Sequence, residues 1–385
     1  MTRELPRRAS VVIIGGGIMG VSTAYRLAAA GVTGVALLDG DALGSGSTSK
    51  AAGGVRAQFS DTINIQLALR SLRAFETFTA QFGQEIDFHQ VGYLFLLDSA
   101  EDVGSFEDAV KIQNELGVPS RMISVAEAAR LSPLISTDGL LAAVFSPDDG
   151  YCTPESVVLG YATAARRLGA NLIPHCPVTG IDTRGGQITA VVTAGGRIST
   201  QTVICAAGPW SRQVGAWAGV DLPVTPLRRQ VLITEPISGL DPHLPFTIDF
   251  GTSLYFHREG PGLLLGMSDP DETPGFKLNR SDAWLPGLGR LMQRRAPALM
   301  SAGISSGWAG LYEVTPDHNA LIGESATVSR FLYATGFSGH GFLMGPAVGE
   351  VMRDLYLGQP PGIDVGALSA DRFAAALARP EHNIV

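Results

Sequence analysis

At roughly 150 residues per domain, a chain of 385 residues sets an expectation of two domains, or three at most, with ample length to bury a large core. Hydrophobic residues make up 45%, charged residues 17% and aromatic residues 7%, a globular mix that excludes a disordered, fibrous or disulfide-stapled chain. The 28 Lys and Arg against 36 Asp and Glu leave a net charge of −8. The basic residues form no long cluster, so the electrostatic footprint of a nucleic-acid binder is missing.

The 47 glycines are the one excess, and they point to tight turns and to backbone approaching something bound. Cys152, Cys176 and Cys205 are odd in number and widely spaced, with neither a zinc-type pair nor a disulfide framework. A reducing compartment and no metal are expected. MTRELPRRAS runs directly into VVIIGGG without a signal-peptide core, and no 18-residue apolar run occurs, so the reading is a cytoplasmic protein that spans no membrane.

In chain order, the β-branched run Val11 to Ile14 reads as a strand, Gly15 to Gly20 as a turn, Val21 to Ala30 as a helix stopped by Gly31, and Val35 to Leu38 as a second strand. That is one βαβ unit. A helical pattern from Thr62 to Phe82 follows, then a strand at 92–97 and a helix near 101–116. Ser124 and Glu127 suggest a capping box. Pro154 and Gly169 bracket another helix, followed by strands near 178–183, 187–193 and 202–207. Residues 223–314 read as strands and turns with one helix at Ser281 to Arg295, and a last helix is expected from near Gly345. There is no internal repeat.

Gly15, Gly17 and Gly20 form GxGxxG between the first strand and helix, and Asp39 follows 19 residues after Gly20 at the end of the second strand. Such a turn lets backbone meet a pyrophosphate at the helix N-terminus, while the acid accepts from a ribose hydroxyl. The fingerprint alone leaves NAD and FAD open. Its position at the N-terminus and the glycine- and hydroxyl-rich segment GSGSTSKAAGGVRAQF at 44–59 favour FAD.

The runs GGGIMGVSTAYRLAAAG, GSGSTSKAAGGVRAQF, ICAAGPWS, GWAGLYEVTPD and TGFSGHGFLMGPAVGE, in that order, resemble the D-amino-acid oxidase superfamily of FAD-dependent amine oxidoreductases. Within it they look most like the β subunits of sarcosine oxidase and proline dehydrogenase. The resemblance implies an α/β fold: a discontinuous Rossmann-type FAD-binding domain (1–85, 146–220 and 318–385) with an inserted α+β substrate domain (86–145 and 221–317) on a mostly antiparallel sheet.

Residue by residue, it implies that Gly15, Gly17, Ile18, Met19 and Gly20 hold the pyrophosphate and Asp39 the adenosine ribose. Gly46, Ser47, Thr48, Lys50, Gly53 and Gly54 would approach phosphates or flavin, Val178 the adenine, and Ala207, Gly208 and Trp210 would line the cofactor. Gly336, Phe337, Ser338, Gly339, His340, Gly341 and Phe342 would wrap the flavin, and the helix after that loop would aim its N-terminus at the flavin and favour its reduced, anionic form. His340 would add a hydrogen bond.

Several positions depart from the relatives. Tyr312 stands where glycine and D-amino-acid oxidases carry a carboxylate-binding arginine, which argues against that assignment. Gly310 stands near the cysteine that attaches FAD in monomeric sarcosine oxidases, so FAD is expected to be noncovalent. GLLLG at 262–266 and Leu343 replace two lysines near the flavin, so the electron acceptor is O2 or another carrier. Thr153 and Pro154 replace a covalent FMN histidine, so no second flavin is implied.

Arg56 matches an arginine beside the flavin that binds carboxylate, and a guanidinium suits that task. Tyr255, His257 and Tyr312 fall where relatives face the flavin with groups that orient the amine or take its proton. Arg228 and Arg229 open a strand and read as structural or surface residues. The expected reaction is oxidation of a secondary or N-substituted amino acid such as sarcosine, proline or an opine, by hydride transfer to flavin N5 and hydrolysis of the imine. The alternatives are a primary-amine, D-amino-acid or glycine oxidase, a non-catalytic FAD-binding subunit that scaffolds a partner, and an NAD enzyme.

Overall fold

The strand Val11–Ile14 is buried throughout and pairs in parallel with Val35–Leu38 on one side and Val203–Cys205 on the other. A parallel strand covered on both faces needs an apolar side chain at every position, and VVII supplies one. The alternation of the pleat then divides it. Val11 and Ile13 pack toward the helices Ile18–Ala29, Thr62–Glu76, Pro154–Arg167 and Gly341–Leu357, whereas Val12 and Ile14 face Ile181, Ile188, Val191 and Val214 on the other side. The structure, a computed structural model, describes residues 5–384; the start of the N-terminal stretch, residues 1–4, and residue 385 lie outside the described residues.

The sheet built on this strand has six members in the order Leu321–Glu324, Phe331–Thr335, Val203–Cys205, Val11–Ile14, Val35–Leu38 and Asn171–Ile173. All pairs are parallel except the first. This is a Rossmann-type sheet. A three-stranded antiparallel sheet of Val178–Arg184, Gln187–Thr193 and Gly196–Ser199 lies on its second face.

A second large sheet runs Ile304–Val314, Thr225–Thr234, Gly262–Met267, Leu254–Glu259, Phe246–Asp249, Tyr93–Leu97, Ala142–Ser146 and Arg121–Ile123. Its pairs are antiparallel except Phe246–Asp249 with Tyr93–Leu97. The first sheet thus draws on residues 11–38, 171–205 and 321–335, and the second on 93–146 and 225–314. On this basis we propose the two domains with the boundaries given above, except that Ser146, which pairs with Tyr93, belongs to the substrate domain.

The first helix begins at Ile18, three residues before the expected Val21, and three further boundaries differ from expectation. The pattern from Thr62 to Phe82 divides at Thr77 into Thr62–Glu76 and Phe78–Phe82, because the Thr77 hydroxyl bonds back to the Arg73 carbonyl and its backbone leaves helical geometry. The helix expected from Ser281 begins at Leu285, after the Ser281 backbone N–H has been taken by the Gln230 side chain. The last helix begins at Gly341, with Pro346 inside it. This extra turn carries the helix N-terminus into the cavity described below.

Candidate cofactor and substrate site

The turn after the first strand is possible only with glycine. Gly15 has φ +110°, and a Cβ there would lie 2.2 Å from the Ala206 carbonyl oxygen. A Cβ on Gly20 would lie 1.9 Å from the Gly15 carbonyl oxygen. Gly17 caps the helix Ile18–Ala29 without a side chain of its own, and Thr48 Oγ1 accepts from the Ile18 N–H at 3.1 Å. Asp39 is fixed at the end of its strand by accepting from Gly16 N at 2.6 Å and Asp41 N at 2.8 Å. Burial raises its carboxyl above the ordinary range, against the pull of these two donors.

From this turn a cavity of about 680 Å³ runs between the two large sheets. At one end its wall includes Gly15, Gly17, Ile18, Met19 and Asp39. Its lining also includes Gly46, Ser47, Thr48, Lys50, Gly53 and Gly54, together with Val178, Ala207, Gly208 and Trp210. Trp210 is no core aromatic: it is 40% exposed and stacks on Phe276 at 5.5 Å. Ser338, Gly339, His340, Gly341 and Phe342 bring in the N-terminus of the last helix.

Gly20, Gly336 and Phe337 stand off the wall. Gly20 supports the turn beneath it, and the backbone of Gly336 and Phe337 bonds instead to the Glu313 carboxylate, itself a wall residue. His340 is buried with neither ring nitrogen partnered among the described residues, and burial drives its imidazole down to about 3. It is therefore neutral at physiological pH.

The second sheet supplies the other wall through alternating residues, Phe246 with Ile248 and Arg229 with Val231, joined by Tyr93, Tyr255 and Tyr312. Phe246 stacks on Tyr93 at 4.3 Å and on Tyr255 at 5.7 Å. The Tyr312 ring lies where a Cβ on Gly339 would meet it at 2.4 Å.

Of the residues expected to handle substrate, Arg56, Tyr255, Tyr312 and His340 are brought together on this wall, and His257 is not. His257 lies one pleat beyond Tyr255, stacked on Phe246 at 4.7 Å, with its ring nitrogens 2.8 and 2.9 Å from the carbonyl oxygens of Arg258 and Ala52. Burial pushes its imidazole down to about 4 although the two carbonyls pull it up. A neutral ring has one N–H and donates to one of these two carbonyls; enclosed by backbone in this way, His257 is a structural histidine.

Arg56 is 6% exposed. Its Nη2 donates to the Asn383 carbonyl at 2.6 Å, its Nη1 donates to the Gln58 carbonyl, and its Cζ lies 4.0 Å from the centroid of the Phe59 ring. Burial lowers its pKa, but a guanidinium starts high enough to remain charged.

Sequence reasoning missed Arg229, which was read as structural or surface. The strand starts at Thr225, not Arg228, so Arg229 lies mid-strand and shares the inward face with Val231. That two-residue alternation was the available signal. Tyr93, Phe246 and Glu313 were also missed, as was Ile384, which reaches the wall from the far end of the chain.

The family described as FAD dependent oxidoreductase matches residues 10–355. The chain belongs to this FAD-dependent oxidoreductase family. Human mitochondrial sarcosine dehydrogenase is 30% identical over 396 residues, covering 98% of this chain and 42% of that protein. The 4-methylaminobutanoate oxidase (formaldehyde-forming) of Paenarthrobacter nicotinovorans is 30% identical over 380 residues, covering 96% and 46%. This member of the FAD-dependent oxidoreductase family thus spans less than half the length of those two relatives. The crystal structure of L-proline dehydrogenase from P. horikoshii superposes with a TM-score of 0.91 at 33% identity, covering 97% of this chain and all of that one.

The cofactor of this oxidoreductase family fits the residues present. The glycine turn leaves backbone open where any side chain would intrude, and Asp39 ends the second strand at the cavity edge. The Gly341 helix end offers its positive dipole to the far portion. Among the described residues no helix is long and apolar enough to cross a membrane, and no group of three His, Cys, Asp or Glu is placed to hold a metal.

Proposed function

We propose that this chain binds FAD noncovalently in the cavity and oxidises the C–N bond of a secondary or N-substituted amino acid. The observation that carries the proposal is one cavity that joins the glycine turn and Asp39 to a chamber lined by Arg56, Arg229, Tyr255 and Tyr312. The residues assigned above to pyrophosphate, ribose and flavin are proposed in those roles. No cysteine stands in the wall, which supports noncovalent attachment. The names of its relatives, sarcosine dehydrogenase, 4-methylaminobutanoate oxidase and L-proline dehydrogenase, support a substrate whose amine carries a second carbon.

Bound FAD supplies the acceptor for the hydride that leaves the substrate carbon. The protein's part is to bind, orient and select the protonation state. A guanidinium holds the carboxylate, and the apolar wall of Val231, Phe246 and Ile248 excludes water from the reacting carbon. Two guanidinium groups in one chamber disfavour a protonated ammonium, so the substrate amine is held neutral with its lone pair ready to form the imine. His340, neutral and unpaired, can accept a hydrogen bond from bound ligand.

The test is an anaerobic titration of the purified protein with sarcosine, dimethylglycine, 4-methylaminobutanoate, L-proline, glycine and D-alanine, followed in the flavin absorbance. Bleaching by one of the first four supports the proposal, and the rate of colour return in air separates an oxidase from a dehydrogenase. Faster bleaching by glycine or D-alanine would overturn the substrate class. A flavin that none of these reduces favours a non-catalytic subunit, a reading to which the 27% identity with mouse pyruvate dehydrogenase phosphatase regulatory subunit lends support.

A further inference from the structure

Two guanidinium groups reach the chamber, and they are held in opposite ways. Both Nη atoms of Arg56 are engaged by the backbone carbonyls of Gln58 and Asn383, and its flat face is covered by Phe59. Two of its five N–H donors are thus committed to backbone, and the Phe59 ring closes one face. Among the described residues Arg229 has as hydrogen-bond partner only the Arg228 carbonyl, 3.2 Å from Nη1, and its buried Nε has none. Among the described residues it makes no ion pair, whereas its neighbour Arg228 is paired with Glu272 at 2.6 Å.

Among the described residues the surroundings of Arg229 bring hydroxyl groups to it and no paired acidic side chain. Its Cζ lies 5.2 Å from the centroid of the Tyr312 ring. On its other side, Val231, Gly266 and Tyr255 form one row across three strands. Gly266 has no side chain, and a Cβ there would meet the Tyr255 ring at 2.2 Å, so that ring lies across Gly266 toward the strand of Arg229. Neither the Tyr255 nor the Tyr312 hydroxyl has a hydrogen-bond partner among the described residues. Burial raises both phenols, so each keeps its proton and can donate. A cation flanked by two neutral hydroxyl donors, walled by Val231, Phe246 and Ile248, is built for one carboxylate on an otherwise apolar ligand.

We propose that Arg229, with the Tyr255 and Tyr312 hydroxyls, is the carboxylate anchor of this chamber, and that Arg56 instead latches the segment 379–384 against it. The proposal rests on the reading that the substrate is an amino acid, and it makes Arg229 the residue that separates amino acids from the corresponding simple amines. Sarcosine would be taken and dimethylamine refused, because without a carboxylate the three donors are left unpaired.

The experiment uses the full flavin-loaded chain and a ligand that cannot be oxidised, pyrrole-2-carboxylate, with its uncharged carboxamide as the comparison. Affinity is read from perturbation of the flavin spectrum and from calorimetry. Arg229→Gln is expected to raise the Kd of the carboxylate by about 100-fold, with Arg229→Lys in between, while the Kd of the carboxamide and the flavin content stay within about threefold. Arg228→Gln, outside the wall, serves as the control.

Loss of carboxylate binding in Arg56→Gln with retention in Arg229→Gln overturns the proposal, as does a wild-type protein that binds no carboxylate. If binding depends on Arg229 but no amino acid bleaches the flavin, the anchor stands and the proposed oxidation fails. If amino acids bleach it with KM unchanged in Arg229→Gln, the oxidation stands and the anchor fails.

Discussion

The Arg56 Nη2 donates at 2.6 Å to the backbone carbonyl of Asn383, 327 residues further along the chain. This bond ties the cavity to a segment that Asp317 and Asp61 hold through Arg379 and that the Glu381 carboxylate pins to the start of a helix. Glu381 accepts from Ser60 N at 2.9 Å, Ser60 Oγ at 2.6 Å, Asp61 N at 3.1 Å and Asn64 Nδ2 at 2.8 Å. Ser60 and Asp61 lead into the helix Thr62–Glu76, so the same carboxylate sits where the helix dipole favours negative charge.

Glu381→Ala is therefore expected to destabilise the protein by about 3 kcal/mol, because five donors, the Asn383 N–H at 2.9 Å among them, lose a buried charged acceptor. Urea denaturation measures this; a loss below about 0.5 kcal/mol would show that the segment is not anchored as described. Burial alone would raise the Glu381 carboxyl, but its hydrogen bonds outweigh that and hold it below the ordinary value. Its contribution is therefore present above the unfolded value of roughly 4.3 and lost as pH falls through the lower folded value. Glu381→Gln should flatten the acid limb of the stability curve.

The glycine turn makes a second expectation. Gly20→Ala places a Cβ 1.9 Å from the Gly15 carbonyl oxygen, backbone against methyl, so the turn must open. The variant is expected to purify without yellow colour or to lose FAD on dialysis, with Gly104→Ala, where nothing lies within 4 Å, retaining it. Equal ratios of visible to ultraviolet absorbance in the two variants would refute the assignment of this turn to the cofactor.

Gly266→Ala separates the chamber from the cofactor portion. The added methyl would meet the Tyr255 ring at 2.2 Å and push it from its place beside Arg229. We expect kcat/KM for the amino acid substrate to fall at least about tenfold, roughly 1.4 kcal/mol, with flavin content unchanged. Steady-state kinetics on the flavin-normalised protein decides it, and an unaltered kcat/KM would remove Tyr255 from the site.

Burial holds both His257 and His340 below the ordinary histidine value of about 6.5, at about 4 and about 3. Both are neutral when folded and take up a proton on unfolding, so stability is undiminished above about 6.5 and declines as pH falls from there toward 4. Each contributes a slope approaching about 1.4 kcal/mol per pH unit. Thermal melts between pH 7 and 4.5 should show a shallower decline for His340→Asn than for the wild type; parallel curves would mean that His340 is charged or solvated when folded.

What the sequence determined by itself was local and periodic. VVII, the glycine turn and Asp39 specify strand, turn and the acid proposed for the ribose within one βαβ unit, because each requirement is met by residues near in the chain. Arg56, Tyr312 and His340 could be singled out because they lie in recognisable runs, and Tyr255 because it falls where strands of relatives face the flavin; the cavity gathers all four. Only the tertiary structure could separate Tyr255 from His257, which share a strand face; the pairing of that strand puts one over Gly266 and the other against backbone carbonyls. It also decided between the two arginines. Arg56 is engaged by a carbonyl 327 residues away, a contact no local pattern encodes, while Arg229 is left unpaired by strand neighbours that offer it no acid. A guanidinium's availability depends on which acceptors the fold brings to it, and those come from parts of the chain distant in sequence.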